Sequence, residues 1–430
     1  MDFVLLFSNF GANFYIMIKR ENYNKILQSI KKEEITILVG ARQVGKTTLL
    51  SQLFSDLTGK GDNVLYLNMD IEDDAAQLDS QQNLINRIRL EFGEEAGFVC
   101  IDEIQQKEEA GRFLKGIYDM KTPYKLVVSG SGSLELKEKI GEALTGRKQL
   151  IILNPVNFRE FCDYKTDYKY SQRLALYFSV EKEKSAVLLN EYLHFGGYPK
   201  VVINSDAKMK IETMNEVFTS YITKDISWLI GVRSPDKFVK MLKLLAAQSG
   251  GILNYSQLAS DAGVSLSTLK NYLWYAEETF VITTVNPFFT NPKKELTKSP
   301  VIYFNDLGML NYLLGNYTQV NKVSGFVFQN FVFNLLKSKY QNPTSPINHW
   351  RTKDKAEVDF VVHQNEERIP VEVKFSELKN TNISRSFRSY LSKYSPEKAL
   401  IVNLELDDIV KIEKTTVHFI PYWKLLNLEL

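Results

Sequence analysis

The feature that most constrains the fold is a glycine-rich segment within "ITILVGARQVGKTTLL", residues 35–50. An apolar, β-rich run precedes Gly40-x4-Gly45-Lys46-Thr47, and a helix-forming run follows it. This order of strand, loop and helix is the context that a phosphate-binding loop (P-loop) requires. Glycines let backbone N–H groups turn toward a phosphate, and the helix N-terminus adds its positive dipole end. The segment therefore predicts an α/β protein with a P-loop ATPase core built on a parallel sheet.

The same loop predicts roles for individual side chains. We expect Lys46 to reach the β- and γ-phosphates of ATP and Thr47 to offer its hydroxyl to Mg²⁺. The residues predicted to bind the nucleotide are Gly40, Ala41, Arg42, Gln43, Val44, Gly45, Lys46, Thr47 and Thr48. ATP and Mg²⁺ are the cofactors that follow from this pattern.

A second apolar run, "GFVCIDEIQQ", ends in the acidic pair Asp102 and Glu103. Acids at the carboxyl end of a buried parallel strand would lie beside the P-loop. We expect Asp102 to hold the Mg²⁺ shell and Glu103 to orient and polarise the attacking water. The alternative is the solvated start of a loop. A Glu directly after the Asp favours hydrolysis over simple nucleotide storage.

A third strand-like run, "YKLVVSGSGS", ends in small hydroxyl residues, and here the sequence begins to resemble the AAA-type branch of the P-loop ATPases. The resemblance implies that Ser129 or Ser131 senses the γ-phosphate; the alternative is a plain turn that ends the strand. It also implies that Arg147, just before the next strand, is an arginine finger that reaches a neighbouring copy's ATP. The alternative for Arg147 is an arginine at a helix terminus that faces water.

Downstream, "LNPVNFREF" and "EYLHFGGYPKVV" resemble segments of a prokaryotic AAA-like ATPase family related to the STAND group. The resemblance covers nearly the whole chain after Met17. It implies that the turn made by Gly196, Gly197 and Pro199 closes over the base of the nucleotide. A rigid turn without ligand contact is the alternative.

The middle of the chain, "ILNYSQLASDAGVSLSTLKNYLWYAEETFVI", predicts helix, turn, helix and strand, with Ser265 as the N-cap of the second helix. Two β-rich runs flank "FTNPKKELTK", which completes a winged helix with a basic wing tip. Residues expected to face DNA are Ser267, Lys270 and Asn271 on the recognition helix and Lys293, Lys294 and Lys298 in the wing. Winged helices in ATPases also serve as lids or protein docks.

Near the C-terminus, "HWRTKDKAEVDFVV" and "IPVEVKF" predict two strands that pair as a hairpin. Strict alternation would place Glu357 and Asp359 on one side of the first strand. Pairing would then bring Asp359, Glu372 and Lys374 together on one face, where two carboxylates can hold a divalent metal. A sheet with one wet and one packed face is the alternative.

An Asp followed by Glu-x-Lys resembles the core of PD-(D/E)XK nucleases, and the same ATPase family carries such a domain in this position. That fold commonly has an acid on the preceding helix, where this sequence has Gln329 in "GFVFQNFVFNLL". A glutamine carbonyl coordinates without charge, which weakens the attraction for Mg²⁺, although Glu357 would compensate. The motif predicts the fold of a nuclease and leaves its activity open.

Length and composition are consistent with several domains, since 430 residues exceed one ordinary core. The predicted domains are an N-terminal extension at 1–16, the P-loop ATPase core at 17–160, a helical lid at 161–235, a winged helix at 236–315, and a PD-(D/E)XK nuclease-like domain of restriction-endonuclease-like α/β fold at 316–430. Met17 is a second candidate start. Two cysteines without disulfide or metal spacing suit a cytoplasmic protein.

The sequence as a whole predicts an ATP-binding and ATP-hydrolysing protein that is linked to DNA through the winged helix and the C-terminal domain. A net charge of +2 requires any basic surface to be local. An arginine finger would require a homo-oligomer, and no apolar run reaches the roughly 18 residues that a membrane span needs. The alternative is a nucleotide-switched STAND-like scaffold whose C-terminal domain only binds, with turnover that DNA does not stimulate.

Overall fold

The computed structural model describes residues 17–131, 143–227, 235–288, 299–318, 324–340, 346–352, 354–364 and 367–427. It is a mixed α/β structure, as predicted. None of the helices in these ranges combines the length and the apolar composition that crossing a bilayer requires.

The first sheet is parallel and has the strand order β2-β3-β4-β1-β5. Its strands are β1 (Ile35–Gly40), β2 (Val64–Asn68), β3 (Gly97–Asp102), β4 (Tyr124–Ser131) and β5 (Lys148–Ile152). The helices of this region are Glu21–Ser29, Lys46–Thr58, Glu72–Gln77, Gln81–Phe92 and Ala110–Asp119.

Helices cover both faces of this sheet, which explains why β1 is an uninterrupted buried run. Leu38 packs into one core cluster, whereas Ile37 and Val39 pack into another. Because all strands run in one direction, β1, β3 and β4 end at the same edge. The P-loop and the acidic pair therefore meet there.

A helical region follows the first sheet and ends in a π-helical turn. Its helices are Phe158–Lys165, Leu174–Val180, Lys182–Phe195, Pro199–Ile203 and Ala207–Ser220, and the π-helical turn is Tyr221–Ile226. Asn157 and Glu160 form a capping box at the start of the first helix. We call the helices between Leu174 and Ser220, with this turn, the lid.

The middle region contains the predicted helix-turn-helix. Its helices are Asp236–Ala247, Tyr255–Ala262, Leu266–Glu278 and Leu307–Leu314, and the strands β6 (Ile282–Val285) and β7 (Val301–Phe304) pair in antiparallel orientation. Gly263 makes the turn with a φ of 72°, and the Ser265 hydroxyl accepts the Thr268 amide at 3.1 Å, so this predicted cap is confirmed. Lys293, Lys294 and Lys298 of the predicted wing lie outside the described residues.

The C-terminal domain contains a sheet of order β12-β13-β11-β10-β9-β8 between two helices. Its elements are the helices Gly325–Tyr340 and Arg385–Tyr394 and the strands β8 (Ile347–Arg351), β9 (Glu357–Gln364), β10 (Glu367–Val373), β11 (Lys398–Asn403), β12 (Asp408–Ile412) and β13 (Thr415–Pro421), followed by a 3₁₀ turn, Tyr422–Leu426. Strands β9 and β10 form the predicted antiparallel hairpin, with Phe360 opposite Val371.

Strand β9 departs from the alternation that the sequence predicts. The register between β8 and β9 shifts between Asn348 and Trp350. As a result Val358 packs in the cluster of Phe387, whereas Phe360 packs in the cluster on the other face. Strict alternation also predicts that Val358 and Phe360 share the opposite side from Glu357 and Asp359, and this prediction is wrong because a bulge reverses side-chain direction within the strand.

Candidate nucleotide-binding site

A cavity of about 600 Å³ opens at the carboxyl edge of the parallel sheet. Three parts of the chain enclose it: the segment just before the first helix, the P-loop with Glu103, and the lid. Its lining residues include Met17, Ile18, Arg20, Arg42, Lys46, Thr47, Glu103, Pro199, Lys200 and Lys224. The volume lies in the range of small-molecule sites.

The P-loop backbone takes a shape that requires glycine. Gly45 has a φ of 98° and precedes the helix Lys46–Thr58. A side chain at Gly40 would place its Cβ 2.1 Å from the carbonyl oxygen of Leu153. The first residues of the helix, Lys46, Thr47 and Thr48, line the cavity. A helix N-terminus carries N–H groups without partners in the helix, and these can bind a phosphate.

Lys46 is buried in the loop that it closes. Its Nζ donates to the carbonyl oxygens of Gly40 at 3.1 Å and Ala41 at 2.8 Å. Burial lowers the pKa of Lys46 to about 8, and the charges of Glu103, Asp225 and Asp102 oppose that shift. Burial disfavours the charged form of Lys46, whereas a bound phosphate would stabilise it. The site therefore suits an anionic ligand.

Asp102 and Glu103 end strand β3 in different environments. The Asp102 side chain is 1 % exposed and accepts hydrogen bonds from the Ser129 hydroxyl and from the Glu103 amide at 3.1 Å. Glu103 has a left-handed φ of 57°, and its carboxylate accepts from the side-chain amide of Gln105. A non-glycine residue in this backbone region is strained, and such strain concentrates at functional sites. The turn aims Glu103 into the cavity, while Asp102 stays in the sheet, so the solvated-loop alternative does not describe Asp102.

Of the other predicted residues of the core, Ser129 and Ser131 lie on β4 near the acidic pair and the P-loop, whereas Arg147 lies elsewhere. Ser129 is fully buried and contacts Asp102, and Ser131 pairs with Gly40 along the backbone. Arg147 lies at the opposite, amino edge of the sheet, where its carbonyl accepts the Ile35 amide. Its guanidinium pairs with Asp119 at 2.8 Å, so within one chain Arg147 is remote from the cavity.

The turn predicted to close over the nucleotide is held by a buried carboxylate. The Gly197 amide donates to Asp306 Oδ2 at 2.7 Å, and the Met309 amide donates to Oδ1 at 2.8 Å. Burial raises the pKa of Asp306 to about 6, against these backbone hydrogen bonds. Because Pro199 lines the cavity, the turn contacts the candidate ligand space.

Two arginines at the site, Arg42 and Arg20, make contacts that the sequence did not predict. Arg42 pairs with Asp225 of the π-helical turn at 2.7 Å, which joins the P-loop to the lid. Arg20 donates to the Val44 carbonyl at 2.8 Å and to Glu160 at 3.0 Å. The Asn-x-x-Glu capping pattern that contains Glu160 was a local signal for that anchor, whereas nothing local marks Asp225.

The three residues predicted to form a metal site in the C-terminal domain lie close together, since the charges of Glu372 and Lys374 both act on Asp359. Asp359 accepts from the Gln329 side chain at 2.8 Å and from the Val373 amide at 2.7 Å. Glu372 pairs with Lys374 at 2.5 Å and accepts from the Ser384 hydroxyl at 3.0 Å. The two carboxylates lie near each other, but each has its own protein partners.

Both predicted metal-binding carboxylates are hydrogen-bonded within the protein. All four carboxylate oxygens of Asp359 and Glu372 are engaged, and Glu357 is exposed and pairs with Arg351 at 3.5 Å. In the described part of the chain, no group of three or more His, Cys, Asp or Glu side chains is placed to hold a metal ion. The metal site at Asp359 and Glu372 stays a prediction.

Comparison with known proteins supports the assignment of the core. Residues 32–162 match a family model described as an AAA domain. Residues 187–319 and 324–425 match two domains of unknown function, DUF8612 and DUF4143. Together with the P-loop on a parallel sheet, the first match makes the core an AAA-type P-loop ATPase fold.

Similar proteins span most of the chain at low identity. An uncharacterized protein of Methanocaldococcus jannaschii is 26% identical over 413 residues, which are 91% of this chain and 88% of the relative. An uncharacterized protein of Haemophilus influenzae is 25% identical over 424 residues, 95% of this chain and 99% of the relative. Among solved structures, AMPPCP-bound DnaA from Aquifex aeolicus matches 62% of this chain and 92% of its own at 13% identity, with a TM-score of 0.30. Cdc6p from Pyrobaculum aerophilum matches 69% and 92% at 13% identity, with a TM-score of 0.23.

Proposed function

We propose that this protein binds ATP with Mg²⁺ and hydrolyses it to ADP and phosphate, with Glu103 as the residue that activates water. The observation that supports the proposal is one cavity at the edge of the sheet that is lined by Lys46, Thr47 and Glu103 and also by Pro199 of the lid. Such a cavity holds both the phosphate-binding group and a candidate base.

Different residues of the site would bind the phosphates, hold the metal ion and activate the water. The P-loop amides and Lys46 would bind the β- and γ-phosphates, and Thr47 and Asp102 would hold Mg²⁺, which neutralises charge on the phosphate oxygens. Glu103 would accept a proton as water attacks the γ-phosphorus and the bond to the β–γ bridging oxygen breaks. Ser129, which donates to Asp102, would fix the orientation of that carboxylate.

Two substitutions separate binding from chemistry. Lys46→Ala removes the charge that meets the phosphates and is expected to weaken ATP binding and turnover together. Glu103→Gln keeps the shape but removes the base, so ATP should bind with near wild-type affinity while turnover falls by about 10²–10⁴-fold. Calorimetric titration and phosphate release measure the two effects.

An exposed carboxylate elsewhere in the core provides the matched control. Glu108→Gln makes the same chemical change at an exposed position that does not line the cavity, and should leave both measurements unchanged. Wild-type turnover in Glu103→Gln would show that another group activates the water.

A second candidate function is contact with DNA, and an exposed stripe on the helix Leu266–Glu278 favours it. Ser267, Lys270 and Asn271 are exposed as predicted, and Trp274, which is 43 % exposed, extends the same face by one turn. A lysine beside an exposed aromatic ring suits a single strand, because bases stack on such rings and phosphates meet the charge. The C-terminal domain would then bind without cutting.

Labelled DNA tests this second function. We expect Trp274→Ala to weaken single-strand binding by about tenfold, the effect of losing one stacked base, while Leu176→Ala on an exposed lid helix changes nothing. The label should stay on uncut DNA in Mg²⁺ and in Mn²⁺. DNA-stimulated ATP turnover would exclude the alternative scaffold function, and cleavage that Glu372→Ala abolishes would refute the binding-only role.

A further inference from the structure

A second cavity, of about 440 Å³, lies between the lid and the C-terminal domain, away from the nucleotide site. Its walls are largely apolar and come from both sides. The lid contributes Phe178, Leu189 and Leu193, and the C-terminal domain contributes Phe375, Leu404 and Trp423. Apolar cavities of this size between domains are common places for small ligands.

A buried hydroxyl in this cavity has no partner. Ser185, in the helix Lys182–Phe195, is 4 % exposed and lines the cavity. Its Oγ makes no hydrogen bond to any described part of the protein. Buried hydroxyls are normally satisfied, because an unmade hydrogen bond costs free energy. The wall therefore offers one hydrogen-bonding group to a ligand.

Three acidic side chains also line the cavity. Glu405 pairs with Lys182 at 2.9 Å, and Asp407 pairs with Lys424. Glu377 also lines the cavity, is exposed, and makes no ion pair with the described residues. The charge of Glu377 acts on Lys182, which also pairs with Glu405. Three carboxylates and one lysine therefore line the cavity, so its charged lining is negative on balance.

We propose that this cavity is a second ligand site, which takes a small amphipathic cation with an apolar body, a hydrogen-bonding group and an ammonium group. The apolar body would pack against the walls, the hydrogen-bonding group would bond to the Ser185 hydroxyl, and the ammonium would pair with the Glu377 carboxylate. The helix that carries Ser185 ends at Phe195, next to the Gly196–Gly197 turn. From Ser185 to Phe195 the helix rises about 15 Å, and it thus joins this cavity to the turn that precedes Pro199 of the nucleotide cavity.

The test uses tryptamine and its neutral analogue tryptophol, titrated calorimetrically into the full chain. Tryptamine has an indole body, an N–H donor and an ammonium group, and tryptophol replaces the ammonium by a hydroxyl. We expect one tryptamine per chain, bound about threefold to fivefold more tightly than tryptophol, the size of effect that a partly exposed charge pair gives.

Three variants assign the contacts. Glu377→Gln should remove the preference for tryptamine, and Ser185→Ala should weaken both probes by about fivefold while leaving their ratio unchanged. Glu413→Gln, an exposed carboxylate of the same domain that does not line the cavity, should preserve the preference. Circular dichroism checks that each variant is folded.

Several results would overturn the proposal. These are no binding of either probe at millimolar concentration, equal affinity for the two probes, an unchanged preference in Glu377→Gln, or unchanged binding in Ser185→Ala.

Discussion

At the residue scale, the nucleotide site is built from charges that the fold keeps out of water. Lys46 is 5 % exposed and Asp102 is 1 % exposed. Removing a charge from water favours its neutral form, so each group depends on neighbours that stabilise it. Among the described residues, the direct hydrogen-bond partners of Lys46 are carbonyl oxygens, and the acids act on it from a distance. Its protonation is therefore sensitive to what occupies the cavity.

This sensitivity predicts that ATP affinity falls as the pH rises above about 8, the pKa of Lys46. Above that pH the unliganded lysine is neutral, so binding must first return a proton. The limiting slope is about tenfold in affinity per pH unit. Titrations between about pH 7 and pH 9.5 measure it, and Lys46→Ala should bind weakly without this slope. Constant wild-type affinity across the range would contradict the prediction.

The same shift has a consequence for stability. The pKa of Lys46 in the folded chain lies below its ordinary value of 10.5. Between about pH 8 and 10.5 the unfolded chain therefore binds the extra proton, and the contribution of Lys46 to the free energy of unfolding rises with pH in that window.

At the element scale, the turn between two lid helices is fixed by close backbone contacts. A side chain at Gly197 would place its Cβ 2.0 Å from the carbonyl oxygen of Val156. The Val156 amide in turn donates to the Gly197 carbonyl at 2.7 Å. The turn is thus clamped between Val156 and Asp306, and it sets the position of Pro199 over the nucleotide cavity.

Gly197→Ala should therefore lower both stability and ATP affinity. We expect the free energy of unfolding to fall by about 1–3 kcal/mol, as for other overpacked sites, with weaker binding because Pro199 is displaced. Denaturant unfolding and calorimetric titration measure the two effects. Gly263→Ala is the matched control, since its φ of 72° costs stability but no atom is near its Cβ. Its ATP affinity should be that of the wild type. A fully stable Gly197→Ala would mean that the turn relaxes easily.

At the scale of the whole molecule, an aromatic cluster joins the helix Phe158–Lys165 to the C-terminal domain. The ring of Phe158 lies 5.1 Å from that of Phe331 and 6.0 Å from that of Tyr422, measured between centroids. Phe158 starts the helix that carries Glu160, the partner of Arg20 at the P-loop. The packing thus runs from the nucleotide cavity to the C-terminal sheet.

Arg147 would act as an arginine finger only in an oligomer of this chain. Its position at the amino edge of the sheet rules out contact with its own chain's cavity, so a finger role requires a neighbouring copy. If it acts in this way, turnover per chain rises with protein concentration, and Arg147→Ala binds ATP normally but loses the rise. Asp119→Asn removes the partner of Arg147 but keeps the guanidinium, and should keep the rise. A rate independent of concentration, in a protein that stays monomeric with ATP, would end this hypothesis.

The sequence alone determined the features whose chemistry is local. Short stretches of sequence determine four such features: the P-loop, the acidic pair after β3, the cap at Ser265 and the β9–β10 hairpin. They can do so because turn geometry and strand or helix propensity act over short distances. These features were enough to predict the P-loop ATPase core and the α/β class.

Only the tertiary structure decided which distant residues complete the site. Arg42 and Asp225 are 183 positions apart, and Arg20 and Glu160 are 140 apart, so no local pattern links them. The bulge in β9 likewise depends on pairing with β8 and breaks the period-two rule on which the one-face prediction relied. Packing selects such contacts from the whole chain, whereas a motif constrains only the residues within it.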